Sequence, residues 1–211
     1  GRILFEKTLA TMYQWHNYGK STIGARTDVE GVDIARLQGF YKKYYQPDNA
    51  TLIVSGKFKP EQVMAWVGQY FGGIAKPKRP VPPLYTLDPV QDGERAVTIR
   101  RVGGVPLLYA GYHVVPGAHP DFAAVELLGV IMGDAPSGRL HKQLTEKQLA
   151  AGVFSFSEGL ADPGFMLLGA QLAAGQDPAQ ASEALVSAIE TAAQTPITNE
   201  ELERAKAKWL K

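Results

Sequence analysis

Four histidines are the first residues to weigh for metal or acid–base chemistry: His16, His113, His119 and His141. A two-histidine zinc motif on a helix needs its rings one turn apart, at i and i+4, so that both face one ion. No pair here has that spacing, and His113 falls in a strand pattern while His119 lies near a helix start. His16, between Trp15 and Tyr18, reads as a packing residue near a domain surface. Asp28, Glu30 and Asp33 form a small acidic cluster. Calcium or glycosidase chemistry needs carboxylates aimed into one cleft, and a loop followed by a helix cap explains these three. Ser21, Ser55, Ser137 and Ser155 lack a nucleophile-elbow context, and no helix start follows Gly103-Gly104 to form a phosphate cradle. Lys42 and Lys43, beside Tyr41, Tyr44 and Tyr45, fit an amphipathic helix better than a base-stacking surface. There is no cysteine, which excludes disulfides, thiolate metal sites and cysteine nucleophiles.

The elements around these residues follow from periodicity and punctuation. Ile3, Leu4, Leu9, Met12 and Tyr13 predict a helix that fails by Asn17-Tyr18-Gly19, followed by a loop over Ser21–Glu30. Asp33 is placed to cap a helix carrying Leu37, Phe40, Tyr41, Tyr44 and Tyr45, which Pro47 ends. Ala50–Ser55 reads as a short strand closed by Gly56, and Lys59-Pro60-Glu61 opens a helix that Gly72-Gly73 stops. Further on, 95–100 and 106–115 read as strands, 120–132 as a helix and 138–149 as a short amphipathic helix. Val153–Phe156 and Phe165–Leu168 predict a hairpin around Asp162-Pro163-Gly164. Asp177-Pro178 and the capping box Thr198-Asn199-Glu200-Glu201 start two further helices. This order predicts an α+β fold with helices packed on an antiparallel or mixed sheet.

Composition agrees with a folded chain that has no obvious polyanionic partner. Of 211 residues, 45% are apolar and 20% charged, which excludes global disorder, and the net charge of +1 lacks the basic excess of a nucleic-acid binder. The charge is divided: residues 1–80 hold 12 Lys/Arg against 6 Asp/Glu, whereas 81–211 hold 10 against 15. The proline-rich stretch from Pro77 to Pro83 lies at the switch and reads as an extended linker. No apolar run is long enough to span a bilayer. The chain opens without Met and stops inside a helical pattern, so both ends read as cut.

Several segments resemble the insulinase/pitrilysin-type zinc peptidases, the family that includes the mitochondrial processing peptidase. Phe40-Tyr41-Lys42-Lys43-Tyr44-Tyr45-Gln46-Pro47-Asp48-Asn49-Ala50-Thr51-Leu52-Ile53-Val54-Ser55-Gly56 is similar to that family's signature. Tyr18–Gly24, Tyr70-Phe71-Gly72, Ser137-Gly138-Arg139-Leu140, Asp162-Pro163-Gly164 and Glu200–Lys206 fit it in the right order. The resemblance implies a metallohydrolase fold of the processing-peptidase type. It places Tyr41, Tyr45, Pro47, Asn49, Gly56 and Arg139 as scaffold, with the tyrosines anchoring a helix against a sheet. It also implies an organisation: 1–76 as the C-terminal half of a first repeat, 77–89 as a linker, and 90–211 as the N-terminal part of a second.

In this family an inverted His-x-x-Glu-His motif and a later glutamate hold zinc and activate water. That motif does not occur in these 211 residues. The resemblance therefore implies zinc in a parent protein, and no catalytic or metal residue in this piece. The family often completes its active site with an Arg and a Tyr from the second repeat. In the matching stretch here, Thr145 stands for the Arg and Gly152 for the Tyr, and neither can donate the same hydrogen bonds. The expected role is chamber wall and substrate contact in a metalloendopeptidase, through Thr145, Gly152, Phe154 and Phe156. The expected partners are a peptide substrate and a second family subunit carrying the Arg/Tyr pair. The alternatives are a catalytically silent homologue acting as a structural or partner subunit, and an unrelated peptide-binding module. The compartment stays open between a bacterial periplasm and cytoplasm.

Overall fold

The run from Gly164 to Ala170 carries no charged residue, and a strand of that kind is stable only with both faces covered. The computed structural model, which describes residues 1–211, places this run at the centre of a sheet. Strands β1 (Leu107–Val114), β2 (Gly152–Glu158) and β3 (Gly164–Gln171) pair antiparallel in the order β1-β3-β2. Every residue of β3 except Gln171 is buried.

Side chains alternate along a strand, so β3 feeds two cores. Met166, Leu168 and Ala170 join Leu140, Leu144, Ala181 and Leu185 in one of them. Phe165 and Leu167 join Met12 and Tyr13 in the other. Helices α5 (Phe122–Gly133) and α6 (Pro178–Glu190) cover the first face, and α1 (Arg2–Met12) lies against the second. Helix α7 (Asn199–Trp209) packs on α5. The architecture is the expected one, helices packed on a small antiparallel sheet.

Close approach sets the spacing in two places. Tyr109, Gly169 and Phe154 form one row across the three strands, and the two rings meet edge to face at 5.5 Å and 88°. A Cβ at Gly169 would come within 2.2 Å of Phe154 Cζ. On the other face, a Cβ at Gly133 would come within 2.5 Å of Ser155 Cβ, while the Ser155 hydroxyl donates to Gly129 O at 2.7 Å. The small residues of α5 thus let the helix lie directly on β2.

The chain divides into two units, Gly1–Lys20 with Asp88–Lys211, and Ser21–Leu87. The sheet belongs to the former. The latter contains α2 (Arg26–Gly31), α3 (Ile34–Tyr44) and α4 (Pro60–Phe71), with a 3-10 turn over Pro47–Asn49. No apolar residue of that unit is buried; Gln46 is its one buried residue.

Several local expectations are corrected. Residues 50–55 and 95–100 do not form strands, because neither run has a ladder partner within the chain. Ser21–Glu30 is not all loop: its end forms the start of α2, closed by an Arg26–Glu30 ion pair one turn apart. The helix expected over 138–149 ends early and widens into a π-turn at His141–Thr145. The unit that holds the tyrosine-rich helix α3 contains no strand. Tyr41 and Tyr45 are exposed and stack on each other at 4.7 Å, and Phe40 and Tyr44 pair at 4.6 Å. His16 is buried rather than superficial. Its Nδ1 accepts from Tyr18 N–H at 3.2 Å, and its Nε2 lies 3.2 Å from Asp162 Oδ2. That contact ties the end of α1 to the hairpin turn.

The Tyr109–Gly169–Phe154 row yields a stability prediction. Gly169→Ala should destabilise the chain by about 1–3 kcal/mol, the usual cost of overpacking a filled site. Adding Phe154→Ala should recover part of that loss, since it removes the atom that clashes. Urea denaturation of both single variants and the double variant measures the coupling.

Candidate functional site

The segment that the family resemblance singles out runs from Ser137 to Phe156, and Arg139 holds its start. Arg139 Nε and one terminal nitrogen donate to the two carboxylate oxygens of Glu201, each at 2.8 Å. The same guanidinium donates to Ala192 O at 3.2 Å, Thr195 O at 2.9 Å and Pro196 O at 3.0 Å. All five N–H groups of the fork therefore have acceptors. Glu201 is at the same time the N3 residue of the α7 capping box, receiving Thr198 N–H at 2.9 Å. The Arg139 bonds, with those from Thr198, hold the Glu201 carboxyl down at about 2, well below the usual carboxylate range.

Just upstream, Asp134 accepts from Ser137 Oγ at 3.2 Å and pairs with Lys208 near the end of α7. Burial disfavours its charge, but Lys208, Ser137 and the Ala135 N–H outweigh that cost and keep it below its ordinary value. Leu140 and Leu144, one turn apart and both fully buried, then plug the segment into the core. Between them the helix widens, with Glu146 N–H bonding His141 O at 3.0 Å. Gln148 takes a φ of 61°, a left-handed conformation that is costly for a residue with a side chain. Gln176 supports it, donating to Gln148 O at 2.6 Å and accepting from Ala173 N–H at 2.6 Å. Ala151 N–H then reaches Gln171 O at 2.8 Å, and the chain enters β2.

Thr145 closes the π-turn and is half-buried. Its hydroxyl oxygen is buried without a hydrogen-bond partner. Gly152 opens β2 opposite Gln171, and a Cβ built there meets nothing within 4 Å. The π-turn packs against β2, so both positions belong to one end of one surface. Phe154 is half-buried against Tyr109, whereas Phe156 is 46% exposed with its ring 6.0 Å from Phe165. Strand β2 is an outer strand and has no neighbour beyond it. The side chains here offer hydroxyl, aromatic and backbone contacts, with no nucleophile beside a base. Nor do three or more His, Asp or Glu residues come together anywhere in the chain to hold a metal. His113 lies in β1, His119 precedes α5 and His141 starts the π-turn.

Of the scaffold residues expected in the Ser21–Leu87 unit, Tyr41 lies in α3 and Tyr45 caps its end, while Pro47, Asn49 and Gly56 follow in the connection after it. Pro47 starts the 3-10 turn, and Asn49 Nδ2 donates to Tyr44 O at 2.8 Å. Gly56 has a φ of 125°, open only to a residue without a side chain. Sequence reasoning missed Glu201 as the partner of Arg139, and Gln176 as the support of Gln148. The capping-box glutamate and the motif arginine were each visible, but their pairing spans 62 residues.

The sheet, its covering helices and this segment define a peptidase-type α+β domain. Residues 31–208 match the sequence profile of the peptidase M16 inactive domain, and the chain belongs to that family. The zinc protease PqqE of Helicobacter pylori is 29% identical over 212 residues, covering 97% of this chain and 47% of that protein. A solved structure of a protease from Helicobacter pylori superposes with a TM-score of 0.90 at 26% identity, over 98% of this chain and 51% of that one. The peptidase M16 inactive domain from Pseudomonas fluorescens shares the fold, with a TM-score of 0.73 at 18% identity, covering all of this chain and 50% of that one. The chain spans about half the length of the curated relatives it matches most fully, and less of the others. No helix is long and apolar enough to cross a membrane.

Two stability predictions test this site. Glu201 has a depressed native pKa, so its contribution is complete above the ordinary value near 4.5 and is lost as pH falls toward about 2. Glu201→Gln should therefore cost roughly 2 kcal/mol at neutral pH, a discounted figure because the pair borders solvent. The gap from wild type should shrink across that acid window in pH-resolved urea melts. Thr145→Val, which removes the orphaned hydroxyl at constant volume, should raise stability by up to about 1 kcal/mol in the same assay.

Proposed function

We propose that this chain is the non-catalytic portion of a zinc-dependent metalloendopeptidase, forming part of the wall of its peptide chamber and a substrate-contact surface along β2. The observation that carries this reading is the open outer edge of β2, with Phe156 exposed on the strand and the π-turn at its start. An open edge accepts an extended peptide through main-chain hydrogen bonds, and an exposed ring gives that peptide an apolar contact. Membership of the M16 family, and the likeness to a zinc protease about twice as long, support placing the zinc on another part of the same parent protein. On this reading the zinc-holding half supplies the activated water and the present chain positions substrate.

The same reading includes a second subunit. Thr145 and Gly152 leave the site without the guanidinium fork and phenol that the family uses there, and Gly152 has open space where a side chain would stand. A partner bearing an Arg/Tyr pair would complete the site in a heterodimer. A second reading, a catalytically silent subunit that only assembles with a partner, is favoured by the same two residues.

The experiment is cleavage of a quenched fluorescent peptide by the full parent protein, alone and with its partner subunit. We expect little turnover alone, and zinc-dependent turnover on mixing. Phe156→Asp should then raise KM by about tenfold with a smaller change in kcat, as loss of uniform binding does. Full activity of the parent alone would remove the heterodimer. A parent without His-x-x-Glu-His, inert in every mixture, would establish the silent subunit instead.

A further inference from the structure

A groove of about 650 Å³ lies between the π-turn, the second half of α6 and the start of α7. Its volume is within the range that holds a small ligand or a few peptide residues. Its apolar lining comes from Leu149, Ala184, Ala188, Ala192 and Pro196. Its charges do not cancel. Glu201 is neutralised by Arg139 at 2.8 Å, and Glu200 by Arg204 at 3.3 Å. Lys142 and Lys147 remain on the rim with no carboxylate partner; Lys147 donates only to the neutral Gln143 Oε1, at 2.5 Å. Ser187 and Thr195 also line the groove.

We infer that this groove binds an acidic peptide segment, with carboxylates on Lys142 and Lys147 and apolar side chains on the alanine lining. Charge complementarity selects the occupant. Two ammonium groups without carboxylate partners stand together on the π-turn side of the groove, so a basic peptide is repelled and an uncharged one gains only the apolar contacts. A small inorganic anion would leave the apolar lining unused. The Ser187 and Thr195 hydroxyls add directional bonds to a peptide backbone. The groove includes none of Gly152, Phe154 or Phe156, so the inference stands apart from the role proposed for β2.

The test is fluorescence anisotropy with the full 211-residue chain and a labelled octapeptide of alternating Glu and Leu. We expect saturable binding that weakens as salt rises, because exposed charges are screened within about 8 Å at physiological ionic strength. Lys142→Glu with Lys147→Glu should weaken binding by at least about tenfold. Lys142→Arg with Lys147→Arg should retain it, which separates charge from a folding defect. The matching Lys/Leu peptide should not bind. The inference is overturned by unsaturable binding, by an affinity unchanged on charge reversal, or by equal binding of the Lys/Leu peptide. Displacement by inorganic phosphate at concentrations comparable to the peptide would also overturn it, reducing the groove to a small-anion site.

Discussion

The Arg139–Glu201 pair joins the entry of the π-turn to the start of α7, with the Asp134–Lys208 pair beside it. One guanidinium fixes the entry to the π-turn, the carbonyls at the end of the α6–α7 connection, and the first turn of α7. Because each N–H of a planar fork must find its acceptor at once, the geometry is tight in three directions. A lysine could meet Glu201 but not those three carbonyls. The carboxylate, in turn, is already oriented by the capping box with Thr198, so helix initiation and tertiary docking use one side chain. Leu140 and Leu144 sit immediately downstream, and their complete burial depends on where Arg139 leaves the chain.

The same segment shows how local backbone geometry delivers a chain into a sheet. Its π-turn, the left-handed Gln148 and the Ala151–Gln171 bond deliver the chain to β2 with a defined register. Two positions along it contribute little to that geometry. Thr145 brings a hydroxyl with no partner, and Gly152 brings nothing beyond backbone. Neither carries the charge or the donor fork with which a site stabilises a developing oxyanion. The backbone is thus specified by burial and capping, which do not require those two side chains.

Legibility in the sequence followed the range of the interaction. The Asp177 cap and the Thr198 capping box are read from adjacent residues, and both form in the structure. The β2–β3 hairpin is read from two apolar runs around Asp162-Pro163-Gly164, and it forms because its pairing is nearly local. The Ala50–Ser55 run carries equal strand propensity but forms no ladder, since a strand exists only through a neighbour. His16 was misread for the same reason. Its partner Asp162 lies 146 residues away, and no local pattern connects the two. The family motif supplied Arg139 as a scaffold residue, yet its five acceptors come from residues that no local pattern connects to it.

The two units differ in what stabilises them. In the sheet-bearing unit, β3 is buried on both sides, and each face of the sheet has its own helical cover. The Ser21–Leu87 unit has helices of good amphipathic pattern but no buried apolar residue. Its visible supports are local: the Arg26–Glu30 pair, the stacked tyrosines of α3 and the Asn49 bond to Tyr44. Contacts of that kind contribute tenths of a kcal/mol to about 1 kcal/mol each. Fixing a residue's backbone costs about as much, so local contacts alone do not offset the ordering of a whole unit. The family signature that identifies α3 therefore lies in the unit whose fold depends least on its own core, while the Ser137–Phe156 segment lies in the unit that depends on it most.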